Sequence, residues 1–261
     1  MENRVFEQIK FQKEDGVATI KLNRPEAMNS FTPVMIAEIN SCIEDISSDD
    51  GVRVVVLTGE GRAFCTGADV KAMAAGKLPM GKAQSVEKPI YVGIHNLEKP
   101  VIASINGLAV GGGLDLACAC DIRISSDKAR FAEVFIRRGL IPAGGGIYFL
   151  PRLLGIDKAC ELIFSGDMID AMEALRIGLV TRVVPHEDLE LATMEFAFKL
   201  GKGPPLALRE AKKALYKSFE MSFDETMEYV KGVVDVLKQT EDHKEGAKAF
   251  VEKREALFIG R

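Results

Sequence analysis

Two glycine-rich segments hold the residues best suited to chemistry, Gly59-Glu-Gly-Arg-Ala-Phe-Cys-Thr-Gly-Ala-Asp69 and Asn106-Gly-Leu-Ala-Val-Gly-Gly-Gly-Leu-Asp115. Glycine lets backbone N–H groups come close to a bound molecule, and two such groups aimed at one point can hold an oxygen on which negative charge develops. The same glycines also serve tight packing of strand against helix, so the pattern alone leaves both readings open. Neither segment reads G-x-G-x-x-G before a helix, nor G-x-x-x-x-G-K followed by Ser or Thr, which disfavours dinucleotide and nucleoside triphosphate binding. Cys65 invites a nucleophile reading, but no histidine is near it in sequence and a packing thiol is favoured. His95 is expected to be an ordinary helix residue, and Asp121 a capping or pairing residue. Core packing and surface pairing are the default readings for Tyr148 and Arg152.

The elements that must position these segments follow from periodicity. Val5 to Phe11 and Gly16 to Leu22 alternate across the turn-prone Glu14-Asp15-Gly16, which predicts an opening hairpin. Thr32 followed by Pro33 predicts a helix start, with Met35, Ile36, Ile39, Ile43 and Ile46 at helical spacing. Arg53 to Leu57 and Val101 to Ile105 are continuous apolar runs, as strands buried on both faces of a parallel sheet require. A helical pattern from Gln84 to Leu97 joins them as a βαβ crossover. Asp121 to Ser125 is a further short strand. Both glycine segments thus follow buried strands, at the carboxyl ends where open α/β sheets place ligands. Residues between Met73 and Gln84 are expected to form a mobile loop lining the pocket. Past Gly144-Gly145-Gly146 the pattern is mostly helical, interrupted by a strand-like run from Leu179 to Val184. Pro204-Pro205 marks the most plausible boundary, dividing a core of residues 1–204 from amphipathic helices in 205–261.

The 261 residues suffice for one large core. Lys and Arg total 34 against 38 Asp and Glu, a net charge of −4, and no long basic run occurs, which argues against a nucleic-acid groove. No apolar stretch reaches the roughly 18 residues of a membrane span. The start, MENRVFEQIKF, lacks a signal-peptide pattern, so a cytoplasmic location is expected. Five cysteines without a C-x-x-C pair and three scattered histidines make structural zinc and a disulfide framework improbable. Cys118 and Cys120, inside the apolar run LACAC, are expected to be buried reduced thiols.

Arg62-Ala-Phe-Cys-Thr-Gly-Ala-Asp69 and the stretch from Lys99 to Arg123, with Gly-Gly-Gly-Leu-Asp at its centre, closely resemble the two motifs of the crotonase (enoyl-CoA hydratase/isomerase) superfamily. Asn23-Arg-Pro-Glu-Ala-Met-Asn29 and Gly139-Leu-Ile-Pro-Ala-Gly-Gly-Gly146 extend the resemblance over nearly the whole chain. It implies an α/β crotonase-like spiral of ββα units with a helical C-terminal region used in trimer assembly, as a homotrimer or a dimer of trimers. It also implies an enzyme for acyl-coenzyme A thioesters that works through an enolate, with coenzyme A as part of the substrate and no separate cofactor or metal. The thioester oxygen would sit between the Ala68 and Gly112 N–H groups. Backbone of Ala27, Ala63, Gly67, Asp69 and Val70 would line the path of the coenzyme, and Gly111 and Phe135 would flank the acyl group. Arg24, Arg62 and Lys71 are candidates for the phosphates, beside a solvated-face reading for each.

The chain also departs from the family's pattern. Asp115 stands where many hydratases carry a glutamate acid/base, but the position of the second glutamate is Phe135, and an aspartate used by some relatives in the Gly139–Gly146 loop is replaced by Ala143. Glu133 is a second acid/base candidate, against an exposed or helix-capping reading. Hydration of an enoyl-CoA is the leading expectation. Double-bond isomerisation or another thioester reaction (decarboxylation, hydrolysis) is the alternative, and a non-catalytic thioester sensor or scaffold is the rival of another class.

Overall fold

The computed structural model describes residues 6–70, 74–75 and 89–261. The expected pocket loop between Met73 and Gln84 lies outside the described residues except for Ala74 and Ala75, as do Lys71 and residues 84–88 of the expected helix. Asp15 and Gly16 both take positive φ, 46° and 80°, as a tight two-residue hairpin turn requires. They join β1 (Ile9–Glu14) to β2 (Val17–Leu22) in antiparallel register. The first strand therefore begins at Ile9, later than alternation from Val5 suggested.

A six-stranded sheet runs β1-β2-β3-β5-β7-β10, with β3 (Val54–Gly59), β5 (Val101–Ile105), β7 (Ile122–Ser126) and β10 (Arg182–Val184) all parallel to β2. The apolar runs have no polar face because both sides of the sheet are covered. On one side α1 (Pro33–Ser48) inserts Met35, Ile39, Cys42, Ile43 and Ile46, its start capped by the Thr32 hydroxyl, which accepts from the Met35 N–H at 3.1 Å. On the other side Leu189 and Ala197 pack over Val17, Val54, Val56, Ile102 and Ile124.

A second, smaller sheet was not legible as strands. It orders β4 (Ala63–Cys65), β6 (Leu108–Val110), β8 (Arg130–Ala132) and β9 (Ile169–Asp170) side by side. Each long strand thus leads into a short one, β3 to β4, β5 to β6 and β7 to β8. A helix follows β4 and β6 before the next long strand, namely α2 (Ile90–Asn96) and α3 (Gly112–Ala119). These are the stacked ββα units of the spiral that the resemblance implied.

The spiral continues into α4 (Gly146–Leu154), α5 (Ile156–Ser165), α6 (Ala171–Arg176) and α7 (Leu189–Gly201), the helix that carries Leu189 and Ala197. Then come α8 (Pro205–Lys217), α9 (Phe223–Leu237) and α10 (Glu241–Glu252). Asp121 ties α8 to the core, accepting from the Lys212 ammonium at 2.8 Å, the Tyr216 hydroxyl at 2.8 Å and the Val101 N–H at 2.7 Å. Beyond α8, large apolar side chains stand in solvent, among them Phe223, Phe250, Val251 and Leu257, each more than three-quarters exposed. Among the described residues no helix is long and apolar enough to cross a membrane.

Candidate active site

The site forms where the turn after β4 meets the N-terminus of α3. Gly67 has φ +75°, and a side chain there would begin 2.8 Å from the Gly112 nitrogen, so only glycine lets the two segments touch. Gly113 is under a stricter constraint: its Cβ would fall 2.0 Å from the Cys65 carbonyl oxygen. These contacts set Ala68 and Gly112 side by side. The Gly67 carbonyl accepts from the Phe31 N–H and the Ala68 carbonyl from the Val70 N–H, which fixes the turn. Gly112 opens α3, so its N–H has no acceptor within the helix, and the positive end of the helix dipole lies there. Ala68 is exposed on an open cavity, whereas Gly112 is buried and, like Asp115 and Glu133, is not among the residues that line it.

That cavity, of about 780 Å³, is lined by Ala27, Ala68, Asp69 and Val70, with Arg24, Arg137 and Arg138 adding cationic side chains. Arg24 is held by the Ser30 carbonyl at 2.6 Å and faces Asp69 at 3.4 Å. Ala63 is not brought to the cavity. It is fully buried in β4 and its carbonyl accepts from the Asn29 and Asn106 side-chain amides, so it supports the turn from behind. Gly67 contributes close packing and no wall. Arg62 is exposed and does not line the cavity, whereas Arg137 and Arg138 do, although sequence reasoning missed them. The only signal was a basic pair shortly after Glu133, in a stretch without periodicity.

Asp115, in the first turn of α3, is fully buried, and its Oδ2 accepts from the Gly144 N–H at 2.9 Å. Glu133 is fully buried as well, which removes the exposed reading, and it makes no side-chain cap although it stands before the 3₁₀ turn Val134–Arg138. The two carboxyls face each other. Asp115 Oδ1 and Glu133 Oε1 lie 2.4 and 3.2 Å from the single point where a Gly146 side chain would begin, and among the described residues no donor reaches Oδ1 or either Glu133 oxygen. Both groups are pushed above the usual carboxylate range, chiefly by burial, and Glu133 further because the Asp115 charge adds to it. Burial and mutual repulsion both oppose a second charge on the pair, which favours one neutral and one ionised carboxyl. The carboxyl that faces Asp115 is thus Glu133, two residues before Phe135. Phe135 places its ring 3.6 Å from where a Gly111 side chain would begin, an apolar surface beside the oxyanion turn.

The other candidates fall away from the chemistry. Cys65 is sealed, donates to the Asn29 carbonyl at 3.0 Å, and burial pushes its thiol up to about 12, so it is no nucleophile. Cys118 and Cys120 are buried free thiols. His95 packs edge-on against Tyr148, Phe149 and Tyr216, and burial lowers its pKa. The Arg152 guanidinium stacks 3.7 Å over the Tyr148 ring.

The chain as a whole is similar to known proteins. The sequence profile of the Enoyl-CoA hydratase/isomerase family matches residues 12–261. The chain belongs to that family. It is 35% identical to a crotonyl-CoA hydratase of Syntrophomonas wolfei, covering 98% of this chain and 99% of the relative. It is 38% identical to an (E)-benzylidenesuccinyl-CoA hydratase of Thauera aromatica, covering 97% and 99%. The crystal structure of an enoyl-CoA hydratase from Bacillus anthracis superposes with a TM-score of 0.92 at 35% identity, covering 98% of this chain and all of that one.

Proposed function

We propose that the protein is an enoyl-CoA hydratase, adding water across the double bond of an α,β-unsaturated acyl-coenzyme A, or removing it in reverse. What supports this reading is the buried pair of carboxyls, Asp115 and Glu133, together with the close approach of the Gly67-Ala68 turn to Gly112 at the start of α3. The Ala68 and Gly112 N–H groups hold the thioester oxygen and stabilise it as the enolate forms, an effect worth roughly 3 kcal/mol per donor. The ionised member of the pair takes a proton from water as its oxygen bonds to C3. The protonated member delivers its proton to C2 as the enolate collapses. One proton enters the pair and one leaves, so the pair is restored after each turnover. The coenzyme arm would run along Ala27, Asp69 and Val70, with Arg24, Arg137 and Arg138 facing its phosphates. Coenzyme A is then part of the substrate.

Phe135 favours one second reading, double-bond isomerisation, because an apolar wall in place of a carboxylate suits transfer of a proton between carbons without water. Mass spectrometry of products from linear and cyclic enoyl-CoA thioesters in heavy-oxygen water separates the two. Hydration is expected to incorporate label into a hydroxyl; a mass-neutral product would establish isomerisation, and tight binding without any turnover would point to a thioester sensor.

The exposed apolar residues of α9 and α10 favour association of this chain with copies of itself, as a trimer or a pair of trimers. Contiguous apolar surface of this kind is uncommon on a monomer. Light scattering at micromolar concentration is expected to give at least three times the 28.5 kDa chain mass. A monomer would refute the assembly.

A further inference from the structure

Hydration needs a held water, and the inference drawn here rests on the hydratase reading. Asp115 Oδ1 and both Glu133 oxygens can accept a water's hydrogens, but a water fixed in a protein site has about two to four polar partners and its oxygen needs a donor. Tyr91, in the first turn of α2, stands at the right place. Its ring carbon Cζ and Asp115 Oδ2 lie 2.5 and 2.6 Å from the one point where a Gly144 side chain would begin. Its hydroxyl oxygen lies 2.8 Å from the equivalent point on Gly112. The phenol therefore bridges the space between the oxyanion turn and the loop that holds Asp115, and Phe31 packs edge-on against it at 6.2 Å. Among the described residues no group hydrogen-bonds to the hydroxyl, which leaves it for a ligand.

We propose that Tyr91 is a catalytic residue of the hydration step, donating a hydrogen bond to the oxygen of the reacting water while the carboxyl pair accepts from its hydrogens. One lone pair of the water is thereby held and the other faces C3. In dehydration the same hydroxyl supports the departing oxygen. Tyr91 keeps its own proton throughout: burial first, and the Asp115 charge second, push the phenol above its ordinary range. The proton from water goes to the ionised carboxyl and C2 is protonated by its partner, so the balance of the reaction is unchanged.

Tyr91→Phe keeps the ring against Gly144 and removes only the hydroxyl. Crotonyl-CoA hydration is expected to fall by roughly 10- to 100-fold in kcat, the range for loss of one hydrogen bond to a reacting group, with KM little changed. Exchange of the C2 hydrogens of butyryl-CoA in heavy water, which uses the carboxyl pair and the oxyanion donors but adds no water, is expected to stay within about threefold of the parent protein. Hydration at the parent rate would overturn the proposal. So would an equal fall in hydration and exchange, because the hydroxyl would then be supporting the carboxyl pair. Failure of the hydratase reading itself shows separately, as absence of solvent oxygen in the products of the parent protein.

Discussion

Asp115→Asn is expected to lower turnover by two to four orders of magnitude while leaving thioester affinity nearly unchanged, roughly the range for loss of a general acid/base. The substitution keeps the shape of the side chain, and its amide oxygen can still accept from the Gly144 N–H, so the loop that closes the site stays in place. The Ala68 and Gly112 donors are backbone groups and are untouched. The shared proton is what disappears. Without the Asp115 charge beside it Glu133 ionises more readily, but burial still opposes its charge, and a single carboxyl must take the water's proton before it can hand one to C2, with no partner already loaded. Steady-state kinetics and thioester titration of the same variant check both halves of the expectation. Near-native turnover would mean that Glu133 alone moves the protons and that the pair is misassigned.

Much of this site was legible because its parts are local. The N–H donors follow from Gly67-Ala68 and Gly111-Gly112, where a tight turn and a helix start are written in consecutive residues, and Asp115 lies within the first turn of that helix. The long strands and α1 were legible for the same reason, through β-branched runs and a Thr-Pro helix start. The strands of the small sheet were not, since three residues hold barely one alternation and those segments are as rich in glycine as loops. In the sequence Glu133 stays open between an acid/base role and a capping or exposed one, because nothing there gives a direction for a side chain at the end of a three-residue strand. What decides its role is the pairing of β6 with β8, which sets Ala132 beside Val110 and carries Glu133 to the start of α3. Tyr91 was missed entirely. Its contact partners, Gly112 and Gly144, are 21 and 53 positions away, and an aromatic residue in an apolar helix looks like core until the glycines opposite it are seen in place.

Glu133→Gln is expected to separate activity from stability, lowering hydration by two orders of magnitude or more while making the protein more stable at neutral and alkaline pH. In the folded protein the Glu133 carboxyl titrates above its unfolded value, because burial and the Asp115 charge disfavour its ionised form. In the unfolded chain it titrates near 4.3, so the unfolded state gains from ionisation across a window in which the folded state cannot. The stability of the parent protein therefore falls as pH rises above about 4 to 5, and this part of the fall is absent when residue 133 cannot ionise. An amide there can also donate to Asp115 Oδ1, which has no donor among the described residues. Together these effects stabilise the variant by about 1–3 kcal/mol at pH 8, and below about pH 4 only the amide's hydrogen bond remains of them. Thermal unfolding of both proteins between pH 4 and pH 9 measures the difference directly. A variant less stable than the parent at pH 8, or an advantage that does not grow with pH, would show that Glu133 is not held as a neutral acid in the folded protein, and with it the one-proton pair on which the proposed hydration depends would fail.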